Sequence, residues 1–117
     1  MSSYRIAIVG QKEAVQGFAL LGLDIVPAYD TNEAVDALLR LKRQMRTDDT
    51  GREHNEYAIV FVTEDLASGI SPDDERKLSR GALPAIIALP SHRGSTGYSL
   101  ERLKRIVERA VGSDILQ

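Results

Sequence analysis

Three runs of nearly continuous apolar residues constrain this chain most. They are Tyr4–Val9 (YRIAIV), Tyr57–Val62 (YAIVFV) and Leu83–Leu89 (LPAIIAL). None alternates apolar with polar, so none suits a strand with one wet face. Continuous β-branched runs of this length are strands covered on both sides, the signature of a parallel sheet between helical layers. Between them the pattern turns helical. Lys12–Leu21 carries Val15, Phe18, Ala19 and Leu21 on one side and stops at Gly22. Gly17 inside that helix costs about 1 kcal/mol against alanine, so close packing is expected there. Leu23–Ala28 (LDIVPA) reads as a shorter strand, which Pro27 pushes to a sheet edge because it cannot donate to a ladder.

Asp30 followed by Glu33 has the spacing of a capping box, and the helix it opens runs to about Gln44, burying Val35, Leu38, Leu39 and Leu41. Ser71-Pro72-Asp73-Asp74-Glu75 is a second helix start, with a serine cap, proline at the first helical position and acids in the first turn. That helix is expected to end at Gly81. Lys42–Glu56 (KRQMRTDDTGREHNE) is dense in charge and reads as a solvated, mobile loop after the helix end.

The resulting order, βαβαβαβ and then a final helix, predicts an α/β fold. It is a four-stranded parallel sheet of the flavodoxin-like or Rossmann-like kind, shared with receiver domains, followed by a C-terminal amphipathic helix. At 117 residues there is one core. Within it, residues 1–90 form the α/β sandwich and 91–117 a loop and partner-binding helix.

The final helix opens after the polar stretch Ser91–Tyr98, with Ser99 as its cap. Leu100, Leu103, Ile106, Val107, Ala110 and Val111 fall on one stripe, while Arg102, Lys104, Arg105 and Arg109 with Glu101 and Glu108 take the other side. Burying the large side chains of that stripe is worth roughly 7–15 kcal/mol gross, so it does not stay in water. It packs on the chain's own sheet or it meets a partner, and an apolar tail, Ile115-Leu116, follows the break at Gly112.

Sites for chemistry are scarce. The first strand is followed by G-Q-K-E-A-V-Q-G, which matches neither a dinucleotide-binding glycine fingerprint nor a P-loop. A receiver-like phosphoacceptor, or a small-ligand signalling domain, is the rival reading. It wants a carboxylate pair after the first strand and an aspartate ending the third, where this chain has Gln11-Lys12 and Thr63-Glu64-Asp65. The loop Ser91–Thr96, with Arg93, precedes a helix N-terminus and reads either as an anion cradle or as an ordinary connection. His54 and His92 fall on separate loops and read as solvated.

There is no cysteine, which excludes disulfides and thiolate chemistry and fits a reducing, cytoplasmic setting. The N-terminus has no signal-like apolar run, and no stretch approaches the ~18 apolar residues of a membrane span. A net charge of -2 argues against general nucleic-acid binding. No catalytic, cofactor or metal site is expected.

Four segments resemble the F subunit of the V-type and A-type rotary ATPases, its bacterial members in particular. They are Ile8-Val9-Gly10 with Val15 and Gly17-Phe18-x-Leu20-x-Gly22; Tyr57–Glu64; Leu83–Ile87 with Leu89-Pro90-Ser91; and Val107–Leu116. The chain departs from that pattern at Gln11-Lys12-Glu13 and in the length of its 42–56 segment. The resemblance implies a non-catalytic component of the central rotor stalk, peripheral to the membrane through the ATPase complex and without direct membrane insertion. It would bind the long coiled-coil D subunit of the stalk and help couple ATP hydrolysis or synthesis to ion transport. It also implies contacts with the A and B subunits of the ATPase head and with the membrane-side stalk subunit, and a regulatory C-terminal helix. On that reading Leu103, Ile106, Val107, Ala110 and Val111 anchor the partner, with Arg102, Arg105 and Arg109 as rim charges.

Overall fold

The computed structural model describes residues 4–90. The expected final helix, and with it every residue of the expected partner stripe, lies outside the described residues.

Four strands form one parallel sheet in the order β2-β1-β5-β6: β1 (Arg5–Gly10), β2 (Asp24–Pro27), β5 (Tyr57–Thr63) and β6 (Ala85–Leu89). This is the doubly wound arrangement expected from the alternation of strands and helices, and Pro27 does sit on an outer strand. Every residue of β5 is buried. Successive residues feed opposite layers, as the two-residue period of a strand requires. Ala7, Val9, Val60 and Val62 face α2 (Thr31–Arg43), meeting Ala34, Ala37, Leu38 and Leu41. Ile6, Ile8, Ile59 and Phe61 face the other way, toward Val15, Phe18 and Leu21.

That second layer corrects the expected Lys12–Leu21 helix. Only Lys12–Val15 (α1) is α-helical, and Gln16–Leu21 is a 3-10 helix closed by Gly22 at φ +85°. Three residues per turn bring positions i and i+3 into register, so Val15, Phe18 and Leu21 share the core-facing side. Ala19, expected on that side, is exposed. Gly17 is a second correction. A Cβ there would meet nothing within 4 Å, so no close packing demands glycine.

The cap of α2 forms as expected at one end of the box and shifts at the other. Glu33 N–H donates to Asp30 Oδ1 at 2.8 Å, while the Glu33 carboxylate accepts from Tyr29 N–H, one residue before the cap. Leu41 is fully buried, whereas Leu39 is only half-buried.

The charged segment after α2 is not a structureless loop. Met45–Thr47 (β3) and Glu53–Asn55 (β4) pair antiparallel as a separate hairpin. Its turn is built by Asp48, whose Oδ1 accepts from Thr50 N–H at 2.9 Å and Arg52 N–H at 3.0 Å, with Gly51 at φ +84°. These local side-chain bonds substitute for a hydrophobic core in ordering the turn. His54, expected to be solvated, is half-buried and meets the Tyr4 ring edge-on at 5.0 Å.

Beyond β5, α3 (Glu64–Ala67) and α4 (Pro72–Leu78) return the chain to β6. Ser71 caps α4 as its sequence predicts, but the helix closes at Leu78 with Ser79 as its C-cap, before the expected end at Gly81, which sits in the following turn at φ +79°.

Candidate partner interface

In a doubly wound sheet a ligand normally binds outside the carboxyl ends of the strands, where the chain reverses direction between neighbours. Here that switch point lies between β1 and β5. Val9 pairs with Val62, which sets Gly10 beside Thr63. A Cβ on Gly10 would stand 2.7 Å from Thr63 Cγ2 and 2.9 Å from Val15 Cγ1. The floor of the crevice is therefore filled by the chain's own methyl groups, and glycine is needed at position 10 to let them in. Thr63 is buried and its hydroxyl oxygen finds no hydrogen-bond partner among the described residues. A receiver-like reading needs an aspartate at this place. Glu64 and Asp65, which follow, are exposed on the first turn of α3. Among the described residues no group of three or more His, Asp or Glu side chains lies where it could hold a metal ion.

The amino end of the sheet carries the charge instead. Arg5 on β1 donates to Asp24 on β2, Nε to Oδ2 at 2.7 Å, and the Tyr57 hydroxyl of β5 donates to the same oxygen at 2.8 Å. Glu56 lies 4.0 Å from Arg5 Nε. The hydrogen bond from Arg5 lowers the Asp24 pKa, while burial and the bond to Asp24 push Tyr57 up to about 12. Nothing in the linear sequence hinted at this network, because its members are 19 and 33 residues apart and none belongs to a recognisable motif. It staples three strands together.

An open surface that the sequence analysis did not single out lies elsewhere. A groove of about 590 Å³ runs between the α3–α4 segment and β6. Its lining includes the apolar residues Ala67, Ile70, Ile86 and Ala88, and its charged lining residues are Glu64 and Glu75. The stripe expected to anchor a partner, Leu103 to Val111, and its rim arginines 102, 105 and 109 lie outside the described residues, so nothing places them relative to this groove.

Fold and surface together define a class: a flavodoxin-like α/β domain in which, among the described residues, Val15 and Thr63 pack against Gly10 at the strand ends where such folds usually hold ligands. The chain belongs to the family described as ATP synthase (F/14-kDa) subunit, whose model matches residues 6–107. It is 37% identical over 112 residues to the F subunit of the V-type ATP synthase of Clostridium botulinum strain Eklund 17B, covering 96% of this chain and 97% of that one. Identity to the F subunit of the A-type ATP synthase of Pyrococcus furiosus is 29% over 111 residues, covering 95% and 97%. The fold matches the crystal structure of the V-type ATP synthase F subunit of Archaeoglobus fulgidus with a TM-score of 0.56 at 21% identity, over 75% of this chain and 99% of the other. The bacterial V-type resemblance expected from the sequence is thereby confirmed. Among the described residues no helix is long and apolar enough to cross a membrane.

Proposed function

We propose that this chain is the central-stalk F subunit of a V/A-type ATPase, a non-catalytic rotor component that binds the coiled-coil D subunit. The observation that carries this reading is the reach of the family match, which spans the sheet domain and continues to residue 107, into the amphipathic stripe. Leu103, Ile106, Val107, Ala110 and Val111 are the anchor, and Arg102, Arg105 and Arg109 flank it. A stripe of this width needs a cover, and one helix of a coiled coil offers a matching row of apolar knobs. Through the coiled coil, this chain helps couple ATP hydrolysis or synthesis to ion movement, from a cytoplasmic position peripheral to the membrane. Contacts with the A and B subunits of the head and with the membrane-side stalk subunit, and modulation of hydrolysis by the C-terminal helix, belong to the same proposal.

Coexpression of the full chain with the coiled-coil D subunit tests it. The pair should copurify through size exclusion, with no ATP turnover by this chain alone. Truncation before Ser99 should weaken the complex or change the ATPase rate of the assembled enzyme. A truncated chain that binds and supports turnover like the full one overturns the role given to the stripe.

A further inference from the structure

Cations in the last turn of a helix ordinarily answer that helix's own free carbonyls. The last turn of α2 holds Arg40, Lys42 and Arg43. Lys42 turns instead to the carbonyls of Arg80 and Leu83, in the turn between α4 and β6. The carbonyls at the end of α2 are met by other groups. Gln44 N–H donates to the Leu41 carbonyl at 3.3 Å, and the side-chain amide of Asn55 in β4 donates to that of Lys42 at 3.4 Å. Arg40 and Arg43 are exposed, and among the described residues neither guanidinium has an acid within 4.0 Å. Two cations are left facing outward with no partner among those residues.

They share a groove of about 390 Å³ with Asp36, half-buried Leu39 and Gln44. Asp36, Arg40 and Arg43 follow at spacings of four and three, which puts them on one side of the helix. It is the exposed side, since Ala37, Leu38 and Leu41 face the sheet. From Asp36 to Arg43 the helix rises about 10 Å, two turns at 1.5 Å per residue. The groove therefore has an acid at one end, two cations toward the other and an apolar side chain between. Its far end is pinned. The Gln44 amide donates to the Glu56 carboxylate at 3.3 Å, and the Gln44 carbonyl accepts from Glu56 N–H at 2.9 Å. A surface fixed in this way loses little entropy when something settles on it.

We propose that this groove is a docking surface for an acidic peptide segment of a partner protein. Two carboxylates of that segment take the donor forks of Arg40 and Arg43, and an apolar side chain between them rests on Leu39. Asp36 sets the direction, because it repels a carboxylate placed at its own end of the groove. A net charge of -2 gives acidic segments no general attraction to this protein, so recognition depends on the local pair of arginines. The inference stands apart from the stalk reading, which uses residues 99–111.

The test uses the full chain and a fluorescent synthetic peptide in which pairs of glutamates alternate with single leucines. Amide NMR signals of residues 39–44 should shift as the peptide is added. Affinity should fall about tenfold or more in Arg40→Glu/Arg43→Glu, as expected when repelling charges replace matched ones. Both side chains are exposed, and an unaltered melting curve confirms that this variant folds. Lys12→Glu/Arg80→Glu makes the same charge change at two exposed cations outside the groove, and should bind within about twofold of the parent at physiological salt, where distant charges are screened. Asp36→Asn removes the repelling acid and should tighten binding about threefold. No shift at residues 39–44, or an equal loss in the control pair, overturns the proposal. Equal binding of hexaglutamate or inorganic phosphate at the same residues overturns it too, since the groove would then be a plain anion site. Tighter binding of duplex DNA there would replace the peptide with a nucleic acid, with the same consequence.

Discussion

The two ends of the sheet differ in a way that reverses the usual expectation for this architecture. At the carboxyl end, where doubly wound folds ordinarily place ligands and charge, Gly10, Val15 and Thr63 interlock and leave the Thr63 hydroxyl without a hydrogen-bond partner among the described residues. At the amino end, ordinarily plain, Arg5, Asp24 and Tyr57 form a charged network across three strands. In this chain the shifted pKa values at the sheet therefore mark a structural staple, while the switch point is a packing joint. A perturbed titratable group is a functional-site signal only when it lines a cavity, and here the groove lies elsewhere, along β6.

Substitutions at the two ends break or sharpen that contrast. The largest effect is expected at the packed end. Gly10→Ala forces a methyl group against Thr63 and Val15, whose own branched side chains are anchored in the core, and should destabilise the fold by about 1–3 kcal/mol in denaturant titration. A neutral result would mean that the crevice is open enough to admit a ligand.

At the charged end, Asp24→Asn should cost about 1 kcal/mol, a modest figure because the Arg5 side chain is 47% exposed and its pair is screened by solvent. The sign with pH follows from the direction of each shift. Asp24 has a lowered pKa, so its contribution is complete above the unfolded value of about 4 and fades as pH falls through the folded one. Tyr57, raised to about 12, stabilises below its unfolded pKa and loses that contribution as pH climbs from roughly 10 toward 12. Melting temperatures of Asp24→Asn should fall less steeply toward acid pH than those of the parent, and those of Tyr57→Phe less steeply toward alkaline pH. Identical slopes in parent and variants would remove the network from the stability of the sheet.

Thr63→Val keeps the shape at the packed end while deleting a hydroxyl that has no partner among the described residues, and should stabilise by about 1 kcal/mol. A loss instead would mean that the hydroxyl has a partner in solution, and would reopen this corner as a binding site. The smallest effect separates two glycines that look alike in sequence. Gly17→Ala meets no neighbour and should stabilise by about 0.5 kcal/mol, opposite in sign to Gly10→Ala.

Legibility followed locality. The strands Tyr57–Thr63 and Ala85–Leu89 could be read because their apolar runs are broken by no charged position. Asp30 and Ser71 could be read as caps because their partners lie three residues away. The hairpin at 45–55 was missed because its order comes from Asp48 bonds and from strand pairing without an apolar stripe, and charge density alone resembles a loop. The 3-10 segment was missed for a subtler reason. Val15, Phe18 and Leu21 suit either helix at spacings of three, and nothing in the local pattern selects the tighter one. The groove had no signal at all, since Ala67, Ile70, Ile86 and Ala88 are ordinary residues until α4 and β6 are set side by side.

By itself, then, the sequence determined the alternation of strands and helices, the parallel sheet, the edge position of β2 and the family. Each of these follows from period, capping chemistry or short-range pattern, which neighbouring residues carry among themselves. Only the tertiary structure decided that Gly10 is a steric necessity and Gly17 is not, that Asp24 is bound by Arg5 and Tyr57, and that an open groove lies along β6. Those facts depend on which atoms meet across strands distant in the chain, and such meetings leave no mark on local composition.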